Sequence, residues 1–205
     1  MSAPILSIDP RHPQPRHIDR CVAVLEAGGL VAYPTDTYYG VGCDLFEKKA
    51  IERIYQLKAR PRSKPLSFIC PDLSDVSRYA RVSNPAFATM RRLTPGPYTF
   101  VLEATNLVPK IAVTKQKTVG IRVPDSPIAL ALVKGLGRPL ISTSASTPDG
   151  QVLIDPSDIQ DLLGHGLELV IDGGYQLDEP STVLDLTGDE PVVLRMGKGD
   201  VAGLA

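Results

Sequence analysis

Short apolar runs, most of them bounded by proline or glycine, alternate with amphipathic helical stretches along nearly the whole 205-residue chain. That alternation is the strongest constraint on the fold, because strands and helices that interleave bury their apolar faces best as layers around a shared sheet. Residues 17–29 read as a helix, with Ile18, Cys21, Val22 and Leu25 at helical spacing and Gly28-Gly29 as its stop. A short strand follows from Leu30 to Pro34, then an extended segment over 38–44, a helix over 48–57 and a strand over 66–70. Asn84-Pro85 and Ser126-Pro127 each place a capping residue before a proline, which predicts helix starts there; the first helix runs to Leu93, the second to the glycines 135 and 137. Further strands are expected at 99–103, 119–123 and from Leu140, then a helix at 157–163 and strands at 169–171, 183–185 and 192–194. Tandem strands near 30–44 and near the C-terminus predict a mixed sheet rather than a parallel one. No Gly-, Ser- or Pro-rich linker divides the chain and no internal repeat is present, so one α/β domain over residues 1–205 is expected.

Several function classes lose support at this level. No apolar run approaches the roughly 20 residues of a membrane helix, and the start, MSAPILSIDPRHPQPRH, lacks the basic-then-apolar layout of a secretory signal. A cytoplasmic protein with no membrane partner is the expectation. Cys21, Cys43 and Cys70 are odd in number and far apart, which argues against a disulfide framework, and they read as small buried hydrophobes. His12, His17 and His165 form no ligand pair, so no protein metal site is expected. The net charge of −1 is uninformative, but its distribution is not. Residues 48–122 carry 15 Lys and Arg against 4 Asp and Glu, whereas residues 149–205 carry 2 against 12. A basic segment in a neutral chain suits an anionic ligand; mutual neutralisation of the two segments across the surface is the alternative.

Five segments could carry chemistry. In YPTDTYYGVGCD (33–44), hydroxyls follow a strand-ending proline, and Gly40 and Gly42 permit close approach; a turn of β-favouring residues explains the same string. In LKARPRSKPLSFI (57–69), Lys58, Arg60, Arg62 and Lys64 crowd a loop stiffened by two prolines, which suits a phosphate or simply a solvated basic loop. In VGIRVP, Arg122 sits inside an apolar strand and must face a partner, a cleft or water, with Thr118 on the same strand face. PLISTSAS (139–146) is an apolar strand opening into hydroxyls, as at ligand-binding sheet edges or in a polar turn. A nucleophilic serine is disfavoured by the absence of GxSxG and of a suitably placed histidine. In VVLRMGKGD (192–200), Arg195 precedes GKG, which is only part of a phosphate loop, and a Walker-type site is rejected.

Taken together and in order, YPTDTYYG, Lys58-Ala59-Arg60, PGPYTFVL, VGIRVPD, PLISTSAS and the closing LR-x-G resemble the YrdC-like family (YrdC/YciO) over nearly the whole chain. STVLDL and MGKGDV bring the YciO branch closest. The resemblance implies a mixed twisted sheet with helices on both sides and a concave, positively charged cleft. It implies synthesis of L-threonylcarbamoyl-AMP from L-threonine, bicarbonate and ATP, for a modified adenosine in tRNA, or else non-catalytic binding of nucleotide or double-stranded RNA. By motif match, Thr35 would contact the amino acid, Arg122 would take its carboxylate, and Ser142 would lie nearby. Lys58, Arg60, Lys64, Thr118, Ser144 and Arg195 would surround the nucleotide, with Lys58 and Arg60 the pair most tied to activity. Mg2+ would arrive with ATP rather than occupy a protein metal site. One position departs: the family's S-x-N reads Ser144-Ala145-Ser146. A serine reaches less far than an asparagine, and losing one such contact costs about 0.5–1.5 kcal/mol.

Overall fold

The computed structural model describes residues 2–59, 61 and 65–202. Among them run strands β1 (Ile5–Ser7), β2 (Val31–Tyr33), β3 (Gly40–Asp44), β4 (Ser67–Ile69), β5 (Ala80–Arg81), β6 (Tyr98–Ala104), β7 (Thr118–Arg122), β8 (Leu140–Ser144), β9 (Leu169–Asp172), β10 (Thr182–Asp185) and β11 (Val192–Arg195). The α-helices are α1 (Pro15–Glu26), α2 (Lys48–Leu57), α3 (Leu73–Tyr79), α4 (Asn84–Leu93), α5 (Pro127–Leu136) and α6 (Pro156–Leu163). The strands form one mixed sheet in the order β1-β9-β2-β3-β8-β4-β7-β6-β10-β11, with β5 added antiparallel to β6. The pairs β1–β9, β2–β9, β4–β7 and β6–β10 are parallel and the rest of the path is antiparallel.

Strand alternation sends successive side chains to opposite faces. Val31, Tyr33, Ile69, Leu140, Leu169 and Ile171 pack with α1 and α5 through Ile18, Cys21, Leu25, Ile128, Leu132 and Leu136. Ala32, Val41, Phe68, Phe100, Ile121, Ile141 and Val170 pack on the other face with α2, α3, α4 and α6. Helices therefore cover both sides, and the face under α1 and α5 is only partly covered. Ser67, Gly120, Thr99, Val101, Ser142 and Val183 share that face with Ile69 and Leu140 by register but lie outside the α1/α5 cluster.

Helix ends follow local chemistry. Ser126 Oγ accepts from Ala129 N to start α5, and Gly137 in the left-handed region (φ 70°) ends it, so Gly135 is helical rather than terminal. The cap of α4 is Ser83, whose Oγ accepts from Ala86 N; Asn84 is the first helical residue, so the helix starts one position earlier than the Asn-Pro pair suggested.

All three thiols are buried. Loss of hydration pushes the Cys21 thiol up to about 12 and raises those of Cys43 and Cys70 above the ordinary range. Because the folded value is raised, the stabilisation is complete below the ordinary thiol value of 9.0 and is lost as the pH climbs toward 12. The native protein is expected to leave a thiol-specific chromogenic disulfide unreacted at mildly alkaline pH, and to react at all three cysteines in denaturant. Rapid reaction of the native state would contradict this burial.

Candidate functional site

The uncovered part of the α1/α5 face is an open cavity of about 250 Å3. Its lining includes Thr35, Thr37 and Tyr38 from the β2–β3 connection, Ser67 from β4, Thr99 and Val101 from β6, and Thr118, Gly120 and Arg122 from β7. Ser142 and Ser144 of β8, Ser181, Val183 of β10 and Arg195 of β11 complete its walls. The register explains why residues so distant in sequence meet: Ser142 lies opposite both Gly42 and Ser67, Ser67 opposite Gly120, Gly120 opposite Val101, and Val183 opposite Thr99 and Arg195. Glycines thin the floor. A Cβ on Gly120 would meet Ser67 Oγ and Thr99 Cγ2 at 3.3 Å, and one on Gly40 would meet Ser142 Oγ at 3.1 Å.

At one end stands Arg122, whose side chain is 9% exposed and forms an ion pair with the equally buried Asp36 through Nη2 and Oδ1. Its Nη1 donates to Thr37 Oγ1 at 3.0 Å. Thr35 Oγ1 donates its one proton to Tyr38 O at 2.7 Å, so in the 3.0 Å contact between the Thr35 and Thr37 hydroxyls, Thr37 is the donor. A directed chain thus runs from the guanidinium through Thr37 and Thr35 to a backbone carbonyl. Arg122 Nε and Asp36 Oδ2 are buried without a partner, so the guanidinium holds one unsatisfied donor beside the cavity. Beside it, Tyr33 OH donates to Ser142 Oγ at 2.6 Å, which leaves the Ser142 proton to donate into the cavity. Burial raises the Tyr33 phenol well above its ordinary value and keeps it a donor. Ser144 Oγ donates to Tyr38 OH at 3.2 Å.

At the other end, Arg195 donates from Nε and Nη2 to Ser181 O at 3.2 and 2.7 Å, and the hydroxyls of Ser181 and Thr99 are 2.9 Å apart. The Thr114 and Thr118 hydroxyls pair at 2.8 Å on the adjoining wall. Arg122 and Arg195 are the charged side chains of the lining among the described residues.

Of the residues singled out from sequence, Thr35, Thr118, Arg122, Ser142, Ser144 and Arg195 therefore line one cavity. Lys58 does not. It caps the end of α2, is buried, and its ammonium donates to the carbonyl and hydroxyl oxygens of Ser146, just past β8. Arg60 and Lys64 lie outside the described residues, as does Arg62. Sequence reasoning passed over Asp36, Thr37, Tyr33, Thr99 and Ser181 as individual partners. Asp36, Thr37 and Tyr33 stood inside the quoted YPTDTYYG, but nothing in the string says that they meet Arg122 or Ser142. No group of three or more His, Cys, Asp or Glu side chains able to hold a metal is present among the described residues, nor is any helix long and apolar enough to cross a membrane.

The chain belongs to the Sua5/YciO/YrdC family, whose model, described as telomere recombination, matches residues 23–197. It is 44% identical to YciO of Escherichia coli strain K12 over 196 residues, 95% of each chain, and the crystal structure of E. coli YciO superposes with a TM-score of 0.93 over 98% of both chains. The mouse threonylcarbamoyl-AMP synthase is 39% identical over 173 residues, which cover 81% of this chain and 61% of that enzyme. The crystal structure of P. abyssi Sua5 complexed with L-threonine is 30% identical, with a TM-score of 0.89 over 95% of this chain and 58% of that one. The chain thus spans about three fifths of the length of these synthase relatives.

Proposed function

We propose that the cavity binds L-threonine and ATP and that the protein condenses them with bicarbonate to L-threonylcarbamoyl-AMP and pyrophosphate, in the cytoplasm, for the modified adenosine of tRNA. The observation that carries this reading is the convergence of two guanidiniums and a row of hydroxyls, contributed by five strands and three connections, on one cavity. The likeness to a solved protein that binds L-threonine supports it. Arg122 takes the amino-acid carboxylate, with the Ser142 proton beside it and Thr35 shaping the pocket through the Thr37 chain. Thr118, Ser144 and Arg195 face the nucleotide. Lys58, at the end of α2, holds Ser146 just past β8, and Arg60 and Lys64 are assigned to the nucleotide by the family resemblance alone.

The chemistry asks for alignment more than for a protein nucleophile. The amine of threonine joins bicarbonate carbon with loss of water to give a carbamate. A carbamate oxygen then attacks the α-phosphorus as the bond to the leaving pyrophosphate breaks. Fixed donors and cations hold the reacting groups in line and offset charge on the departing phosphates. No carboxylate lines the cavity among the described residues, and the near Asp36 is committed to Arg122. Mg2+ accordingly enters on the phosphate oxygens of ATP and is held chiefly there.

Pyrophosphate release that requires both threonine and bicarbonate is the expected result, and its absence with either omitted is the control. Replacing Ser146 with asparagine should raise that rate by about tenfold, the worth of one added ligand contact. Lys58 already grips the Ser146 side chain, and an amide there can accept from the same ammonium while adding donors and reach. Release that ignores threonine would sink the reading. A second reading, a non-catalytic binder of double-stranded RNA or nucleotide, is favoured by that serine and by the turn of the Lys58 ammonium toward it. RNA affinity falling steeply with salt, with no turnover, would select it.

A further inference from the structure

The Gly197-Lys198-Gly199 stretch has too little of a phosphate-loop pattern to be one, yet the structure gives its glycines a task. A Cβ on Gly197 would lie 2.3 Å from Pro180 O, and one on Gly199 would lie 2.3 Å from Cε1 of Tyr98. The backbone is fixed as well. Lys198 N donates to Pro180 O at 2.8 Å, Gly197 N to Thr182 Oγ1 at 3.1 Å, Thr182 Oγ1 to Gly199 O at 2.7 Å, and Tyr98 OH to Asp200 O at 2.9 Å. A segment of the exposed C-terminal tail is thereby held rigid on either side of one lysine.

That lysine reaches across the site. Lys198 follows Arg195 of one cavity wall by three residues, and its Nζ donates at 2.6 Å to Asp36 O, between Thr35 and Thr37 of the other wall. Residues 149–205 carry 12 acidic side chains, yet among the described residues none approaches the Lys198 ammonium within the 4.0 Å of an ion pair. An ammonium has three donors, and a single carbonyl uses one of them. Natural chains seldom clamp a surface lysine on both sides to leave it against a neutral carbonyl, and an anion bridging the two walls would accept the remaining donors.

We propose that Lys198 is an anion-binding residue at the cavity mouth, where it takes the polyphosphate of a nucleoside triphosphate. This rests on the reading of the cavity as a nucleotide site. The chemistry favours polyphosphate there over the amino-acid carboxylate. Arg122 is buried and paired with Asp36 at the inner end, whereas Arg195 and Lys198, three residues apart on the exposed tail, supply a fork and a point charge, as a chain of phosphates requires. The Asp36 carbonyl holds the ammonium in place; on binding, phosphate oxygens take its donors.

Calorimetry with ATP, AMP and inorganic tripolyphosphate on the full chain tests this, using Lys198→Met and Lys198→Arg. The side chain is exposed, so neither change should affect folding. Lys198→Met is expected to weaken ATP and tripolyphosphate about tenfold or more while leaving AMP within about twofold, and Lys198→Arg to recover most of the loss. Equal ATP and tripolyphosphate affinities in wild type and Lys198→Met overturn the proposal, as does a wild type that binds neither. Lys198-dependent tripolyphosphate binding in a protein without threonine- and bicarbonate-dependent turnover upholds it while rejecting the synthase reading.

Discussion

Replacing Arg122 with methionine is expected to lower folding stability by about 3–5 kcal/mol, measured by urea unfolding. The guanidinium and the Asp36 carboxylate are both almost wholly buried and face each other across the β2–β3 connection and β7. Removing the cation strands a carboxylate that already has one oxygen without a partner, and it also strips the Thr37 hydroxyl of its donor. The companion variants separate this from a binding effect. Asp36→Asn with Arg122→Met removes both charges, so it should regain a large part of the lost stability, and a double-mutant cycle reads the coupling directly. Threonine binding should fail in both backgrounds, because the carboxylate's partner is gone from each. An Arg122→Met protein within about 0.5 kcal/mol of wild type would show that the pair carries little and that Asp36 is solvated.

The second large effect is expected at Gly42, where alanine should cost about 2–3 kcal/mol. The added Cβ would lie 2.8 Å from the carbonyl oxygen of Ile141 and 2.9 Å from Cε1 of the fully buried Tyr33 ring. Neither neighbour is the loose end of a flexible side chain. Relief requires β3 to part from β8, or the Tyr33 ring to move and carry its hydroxyl away from Ser142. The site should therefore suffer along with the fold: amino-acid affinity should fall even where the variant remains folded. Gly188→Ala, with nothing within 4 Å of its Cβ, is the matched control and should be neutral. Thermal unfolding of the two proteins side by side checks the difference, and equal midpoints would remove the steric account of this glycine.

Much of the architecture could be read directly because its signals are local. The helix over Lys48–Leu57 matches the spacing of its apolar residues, the helix over Asn84–Leu93 its Asn-Pro start signal, and the interleaving with tandem strands foretold a mixed sheet. What escaped was short or non-local. β1 is three residues in a proline-rich stretch and exists because it pairs with β9, some 165 residues away by register. β5 is two residues, and α3 is seven, although its Asp72 cap bonded to Asp75 N was a visible start signal. In the site, Arg122 announced itself as a charge inside an apolar strand, and Ser142 and Ser144 as hydroxyls at a strand end. The mutual geometry was not legible. That Thr35 spends its proton on Tyr38 O, that Ser142 keeps its own, and that Lys58 turns to Ser146 all depend on cross-strand register, which motif order does not encode.

The sheet order has a kinetic side. β8 enters between β3 and β4, β9 between β1 and β2, and β10 beside β6, so no contiguous stretch of chain can assemble the cavity ahead of the rest. Loop-closure entropy must be met for each of these insertions before the hydroxyls and guanidiniums find one another, which favours slow, cooperative folding with the pocket among its last products. Any molecule the pocket recognises therefore acts on the whole chain at once. It has no half-built docking place in which to dwell, and its grip draws the entire population toward the native basin.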